Sequence, residues 1–153
     1  MKSRPYVRFS GSAAGTPITL GRNNPTRASS EAPGHSGRLA NDGNPATFWQ
    51  ADAGDNNAWL RIDLERIVTV GKTKLTFPTE GNWRYKIEIS DDGEGNWRLV
   101  ADQTQAAGTT KERTDTVQTN AQRGRFVRVT FAGIPDAKAA LAEVEVFGTQ
   151  VAP

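Results

Sequence analysis

Two carboxylates, Asp42 and Glu143, a hydroxyl at Thr47 and the carbonyls of the turn Asn41-Asp42-Gly43-Asn44-Pro45-Ala46-Thr47 are donor types that hold a hard cation. Gly43 and Pro45 shape the turn so that its oxygens can converge. Oxygen ligands with two formal negative charges and no sulfur suit calcium better than zinc. The same stretch also reads as an ordinary Asn-Asp-Gly-Asn turn in which Asp42 accepts backbone N–H groups.

Nucleophilic and phosphate chemistry find little support. His35 is the one histidine, so a Ser-His-Asp triad would have to use it, and no Gly-x-Ser-x-Gly elbow accompanies it. His-Glu-x-x-His, Gly-x-x-x-x-Gly-Lys-Ser/Thr and Gly-x-Gly-x-x-Gly are all missing. With no cysteine there are no disulfides, thiolate nucleophiles or Cys-based zinc sites. The 17 acidic residues could hide a glycosidase pair, which is defined by separation in space, but most fall at outward strand positions or in turns. The chain is therefore expected not to be an enzyme.

The elements that must position these residues read as strands. Leu60, Ile62 and Leu64 alternate with Arg61 and Asp63, and Tyr85, Ile87 and Ile89 with Arg84, Lys86 and Glu88. Val127, Val129 and Phe131 alternate with Arg128 and Thr130, and Val144 and Val146 with Glu143 and Glu145. One apolar and one polar face per strand is the pattern of an antiparallel sandwich. Asp91-Asp92-Gly93-Glu94-Gly95-Asn96 supplies a hairpin loop before Trp97. Ala137 to Glu143 has helix propensity, yet the alternation after it favours loop, then strand from about Leu141. The expected fold is all-β, a jelly-roll sandwich of about eight strands spanning 17–150. Residues 1–16 read as a lead-in, with Tyr6 to Phe9 a candidate edge strand and Gly11 to Gly15 a linker.

Composition sets the outer bounds. A chain of 153 residues suits one core, and four Trp and six Phe bring much burial to a sequence that is 36% hydrophobic. A net charge of +2 creates no strong field for nucleic acid or an anionic membrane. Arg123, Arg125 and Arg128 form the densest basic cluster and read as a solvated strand face, since no basic stripe with interleaved aromatics is visible. No apolar run of signal-peptide or membrane-spanning length is present.

Four segments, in order, carry a resemblance: Ala28 to Trp49, Trp59-Leu60-Arg61-Ile62-Asp63-Leu64, Tyr85 to Gly93, and Leu141-Ala142-Glu143-Val144-Glu145-Val146-Phe147-Gly148. In that spacing, from Pro17 to Gly148, the chain resembles a discoidin domain, the coagulation factor five/eight type C fold. Within it the chain is most similar to bacterial carbohydrate-binding modules of family 32, which are appended to glycoside hydrolases.

The resemblance implies a structural calcium held by Leu39 (carbonyl), Asp42, Asn44 (carbonyl), Thr47, Ala142 (carbonyl) and Glu143. It also implies a sugar site on loops at one end of the sandwich, where rings stack on pyranose faces and planar polar groups fix hydroxyls. The candidates there are Glu31, His35, Gln50, Asp52, Asn82, Trp83 and Arg84, with Asp55, Asn56, Asn57 and Glu80 nearby. Trp83 is in phase with Tyr85 and Ile87, so a core role competes with a stacking one; Trp49, Trp59 and Trp97 match structural tryptophans and are expected in the core.

No arginine stands in Phe77-Pro78-Thr79, where relatives reach galactose, and Gln50 occupies a position that is often His. These departures count against galactose, and what the resemblance implies is carbohydrate binding in general. The expected partners are an oligosaccharide or polysaccharide and a glycoside hydrolase in the same chain, with neither nucleic acid nor membrane insertion. The expected location is secreted or periplasmic, as part of a larger protein. The competing reading is a structural or interaction domain with no sugar site. Lipid binding is disfavoured because the loops are mostly Asp, Asn, Gly and Thr.

Overall fold

The structure is a computed structural model that describes residues 18–117, 122–134 and 138–150. The lead-in, with its candidate strand from Tyr6 to Phe9, lies outside the described residues.

The fold is all-β, an antiparallel sandwich with no α-helix among the described residues. The strands are β1 Ile18–Leu20, β2 Thr26–Ala28, β3 Trp49–Gln50, β4 Trp59–Thr76, β5 Arg84–Ser90, β6 Arg98–Gln103, β7 Glu112–Thr116, β8 Gln122–Gly133, β9 Ala140–Leu141 and β10 Glu143–Gln150. A single 3-10 turn, Gly37–Ala40, interrupts the first long loop. Two of the strands, β3 and β9, are two residues long and pair with each other; the other eight form one folded sheet.

The 18-residue β4 serves both layers. Its first half pairs with β2 and β8, and its second half with β10 and β7, while β8 continues past the corner to pair with Val68 to Val70. The corner is a register shift between Asp63 and Val68, with Glu65 at φ 70°. Asp63 holds that corner: Arg125 donates to both of its oxygens at 2.8 and 3.0 Å, and the Glu65 N–H donates to Oδ1 at 2.7 Å. One layer is thus β2-β4-β8-β5-β6, and the other is β1-β10-β4-β7.

The alternating apolar residues meet between the layers. Leu60, Ile62, Val70, Leu75, Ile87, Ile89, Val127, Val129 and Val146 are all buried. At the end carrying the long loops the core becomes aromatic. Phe131 lies 6.2 Å from Trp49, 6.2 Å from Phe77 and 6.0 Å from Trp83, centroid to centroid. Phe77 and Trp83 stack at 4.6 Å with a 3° interplanar angle. Each polar tip finds a partner, as buried Trp and Tyr require: Trp49 Nε1 donates to Ser30 O, Trp83 Nε1 to Thr79 O, and Tyr85 OH to Asp115 Oδ2.

Trp59 and Trp97, expected in the core with Trp49, are half-buried on the outer face instead. The reason is strand phase: Trp59 shares the outward side with Arg61 and Asp63, opposite buried Leu60 and Ile62. The helix-prone segment is extended where described, since Ala140 and Leu141 pair with Gln50 and Trp49 and are buried. Tertiary pairing overrides local propensity there.

Gly148 sits at the bulge where the β10 register shifts against β4. A Cβ at this position would lie 2.0 Å from Thr69 O. Gly148→Ala is therefore expected to lower unfolding free energy by about 1–3 kcal/mol, measurable by urea denaturation, whereas Gly71→Ala, with open space at its Cβ, lacks that steric cost.

Candidate functional site

The turn from Asn41 to Thr47 and the start of β10 come together. Thr47 Oγ1 donates to Asp42 Oδ2 at 2.7 Å, and the Asn44 N–H donates to Asp42 Oδ1 at 2.9 Å. Gly43, at φ 80°, turns its N–H onto both Glu143 oxygens at 3.1 and 3.2 Å, joining residues 100 apart in sequence. Asn41, buried beneath, donates through Nδ2 to the Gly21 and Asn24 carbonyls and fixes the turn from below.

Of the six residues expected to hold a cation, Asp42, Asn44, Thr47 and Glu143 thus form one hydrogen-bonded cluster. Ala142 directly precedes Glu143, its N–H bonded to Thr76 O, and Leu39 lies in the 3-10 turn just before.

Electrostatics at this cluster are adverse without a counter-ion. Glu143 is buried, and burial together with the Asp42 charge pushes its carboxyl up to about 7. Burial also opposes ionisation of Asp42, but the hydrogen bonds from Thr47 and the Asn44 N–H outweigh it and hold that carboxyl below its usual value. Two carboxylates, the Thr47 hydroxyl and the Asn44 carbonyl, which accepts from Thr47 Oγ1 at 3.0 Å, are donor types that fit a hard divalent cation. Among the described residues no cluster of three or more His, Cys, Asp or Glu offers an alternative.

The ligand candidates divide into two groups. Glu31, His35 and Gln50 are woven together: the Ala32 N–H donates to Gln50 O at 2.8 Å, the Gln50 N–H to His35 O at 3.2 Å, and the Gly37 N–H to Glu31 Oε2 at 2.7 Å. His35 Nδ1 donates to Phe48 O at 2.9 Å, and its ring lies on Phe48 at 4.3 Å. That anchoring leaves Nε2 as the nitrogen with no protein partner among the described residues. Asp52 is exposed, its N–H bonded to Ser30 Oγ, which in turn donates to Asp55. A cleft of about 350 Å³ runs along this loop and is lined by Glu31, Gly34, Ser36, Arg38 and Leu39. Arg38 and Phe48 were not singled out by sequence, and nothing in their local pattern distinguishes them.

Asn82, Trp83 and Arg84 belong to a different loop. Trp83 is 2% exposed, with Phe77 on its face and Phe131 against it, so it cannot serve as a stacking platform. That corrects its reading as a sugar contact. Asn82 and Arg84 are exposed, and Arg84 Nε donates to Ala106 O at 3.1 Å rather than joining an ion pair. Arg113 ties this loop to the next by donating to Gly81 O, Trp83 O, Gly108 O and Thr110 O.

The F5/8 type C domain profile matches residues 25–144, which include the Asp42 turn and extend into β10. The chain belongs to the F5/8 type C domain family. No curated protein sequence matches it. Among solved structures, this F5/8 type C domain is similar to CpGH89CBM32-4 of Clostridium perfringens, solved in complex with GlcNAc-α-1,4-galactose. The TM-score is 0.74 at 24% identity, over 91% of this chain and 99% of that one. It is similar to chitosan-binding module 1 from a chitosanase/glucanase of Paenibacillus sp. IK-5, with TM-score 0.75 and 28% identity over 86% of this chain and 99% of that one. A family 89 glycoside hydrolase of C. perfringens also matches at TM-score 0.76 and 22% identity, with 87% of this chain covering 15% of that one.

The Glu143 carboxyl gives the metal-free domain a pH signature. Its folded value of about 7 stands above the ordinary 4.5, so between these the native state keeps a proton that the unfolded chain has lost. The resulting stability is complete below about 4.5 and is lost as pH rises through about 7. In chelator, the unfolding free energy should fall by roughly 1–3 kcal/mol across that window, and Glu143→Gln should flatten the profile.

Proposed function

We propose that this F5/8 type C domain is a non-catalytic carbohydrate-binding module that holds a linked glycoside hydrolase near its glycan. Its setting is a longer protein outside the cytoplasm. The observation that carries the reading is the loop end, where a cleft of about 350 Å³ is edged by planar polar side chains on anchored backbone, in a chain 28% identical to a chitosan-binding module. Gln50 and the Nε2 of His35 can accept or donate to sugar hydroxyls, while Glu31 and Arg38 frame the cleft. Tethering lets a weak site of this size suffice, because the linked enzyme is kept at high effective concentration.

A calcium ion is part of the proposal. Leu39, Asp42, Asn44, Thr47, Ala142 and Glu143 would hold it, and its charge would offset the Asp42–Glu143 repulsion. Its role is structural, since the cluster fastens the first long loop to the start of β10. At saturation near 100-fold over its Kd, calcium contributes about 2.7 kcal/mol, so chelation should lower the thermal midpoint by roughly 8 °C. Asp42→Ala should reproduce that loss and abolish the response to added calcium. An equal midpoint in calcium and in chelator would refute the metal.

Sugar binding is tested on a glycan array that includes chito-oligosaccharides and galactose-terminated glycans, with calcium present. A bound glycan is expected, and His35→Ala and Gln50→Ala should each weaken it about ten-fold, the equivalent of ~1.4 kcal/mol. The alternative, an interaction domain without a sugar site, is favoured by the burial of Trp83, which removes that loop tryptophan from the surface. A calcium-loaded domain that retains no glycan would establish it.

A further inference from the structure

The outer face of the β2-β4-β8-β5-β6 layer carries three arginines in one row. Arg27 on β2 stands directly opposite Arg61 on β4, and Arg61 directly opposite Arg128 on β8. Adjacent strands are about 4.8 Å apart, so three guanidinium side chains arise within roughly 10 Å. Like charges directly opposite on neighbouring strands destabilise a sheet. Only the last of the three is neutralised within the row: Glu88 on β5 faces Arg128 and accepts from it at 2.8 Å, while also lying 3.7 Å from Lys86.

Aromatic rings flank this row. The Arg128 guanidinium lies 4.0 Å from the Trp97 ring centroid, and Arg61 lies 4.9 Å from that of Phe126 while donating to Gly93 O at 2.9 Å. Half-buried Trp59 neighbours Arg61 along β4. Together Arg27, Arg61, Arg128, Trp59 and Trp97 line a groove of about 310 Å³, with Glu94 as the one carboxylate in its wall. A hollow of that size is at the small end of ligand sites.

We propose that this groove is a second binding site, on the sheet face rather than the loop end, for a pyranose bearing a carboxylate or sulfate group. Guanidinium forks pair with planar or tetrahedral oxyanions through parallel N–H donors, and half-buried Trp59 supplies apolar surface against which a pyranose lies, the Trp97 ring being covered by Arg128. A bound anion would also relieve the repulsion along the row, where Asp63, two residues along β4, offsets Arg61 only in part and Arg27 has no ion pair among the described residues. Nucleic acid is disfavoured as occupant because the basic row is confined to this short groove on a chain with net charge +2. The choice of a saccharide rests on the carbohydrate-binding reading above; the anionic character of the site rests on the row itself.

The test is titration of the calcium-loaded domain with a hyaluronan hexasaccharide, a heparin-derived hexasaccharide and neutral cellohexaose, and with a 12-nucleotide single-stranded DNA. At least one anionic hexasaccharide should bind at least ten-fold tighter than cellohexaose, the hyaluronan and heparin arms separating carboxylate from sulfate. Arg27→Glu and Trp59→Ala should each weaken that binding more than ten-fold, whereas His35→Ala and Gln50→Ala should leave it unchanged. Arg27→Thr should lose binding while the thermal midpoint holds or rises, a combination that a purely structural arginine would not give.

The proposal fails if cellohexaose binds as well as both anionic sugars, if neither binds, or if the groove variants match the parent. It fails equally if the DNA binds as tightly as the better sugar, since the groove would then read charge alone. Loss confined to the His35 and Gln50 variants would reject the groove and leave the loop-end site standing.

Discussion

Packing around Phe131 is the constraint on which the rest of this domain depends. Trp49, Phe77 and Trp83 come from three separate chain segments and converge on one ring of β8. The apolar bodies close the end of the sandwich, and the polar tips reach out to Ser30, Thr79 and, through Tyr85, Asp115. Each buried indole or phenol must satisfy its donor, and here the acceptors of the two indoles are loop carbonyls. The cluster therefore sets the shape of the loop end as well as the stability of the core. It seats β3, whose Gln50 backbone then captures Ala32 and His35. It also removes Trp83 from any role in contact with solvent.

Charge is distributed with less internal logic than packing. Most ion pairs of this fold are local and make sense within a sheet, as Arg125 with Asp63 at the β4 corner and Arg128 with Glu88 do. Two places break that rule. Asp42 and Glu143 put two carboxylates together, one of them buried, and Arg27, Arg61 and Arg128 align three cations across three strands. A sheet designed for stability alone would contain neither. Local choices that conflict with the fold tend to mark places where something outside the chain completes the balance. The two places are opposite in sign, carboxylates at the turn and guanidinium groups on the sheet face.

Much of this architecture was legible in the sequence. Alternation along β4, β5, β8 and β10 reports which residues face inward, because the side-chain period of a strand is fixed at two. The same alternation puts Trp83 with Tyr85, where it lies buried, whereas Trp59, expected in the core from its motif, follows the outward phase of Arg61 instead. Similarity of motif, rather than periodicity, was what linked the Asp42 turn to Glu143, a pairing across 100 positions that no local pattern carries.

Neighbours across strands were decided only by the tertiary structure. Arg27, Arg61 and Arg128 are far apart in the chain, each on an unremarkable polar face, and their adjacency follows from strand order and register alone. Along the chain Arg123, Arg125 and Arg128 stand out as a basic cluster and the row does not, although Arg125 is engaged at Asp63. The extended form of Ala140 and Leu141 was decided in the same way, by pairing with β3 against their own helical preference. Sequence by itself determined the faces of the strands and the residue types available for chemistry. Which of those faces meet was fixed by a folded sheet whose hydrogen-bond register is a property of the whole chain.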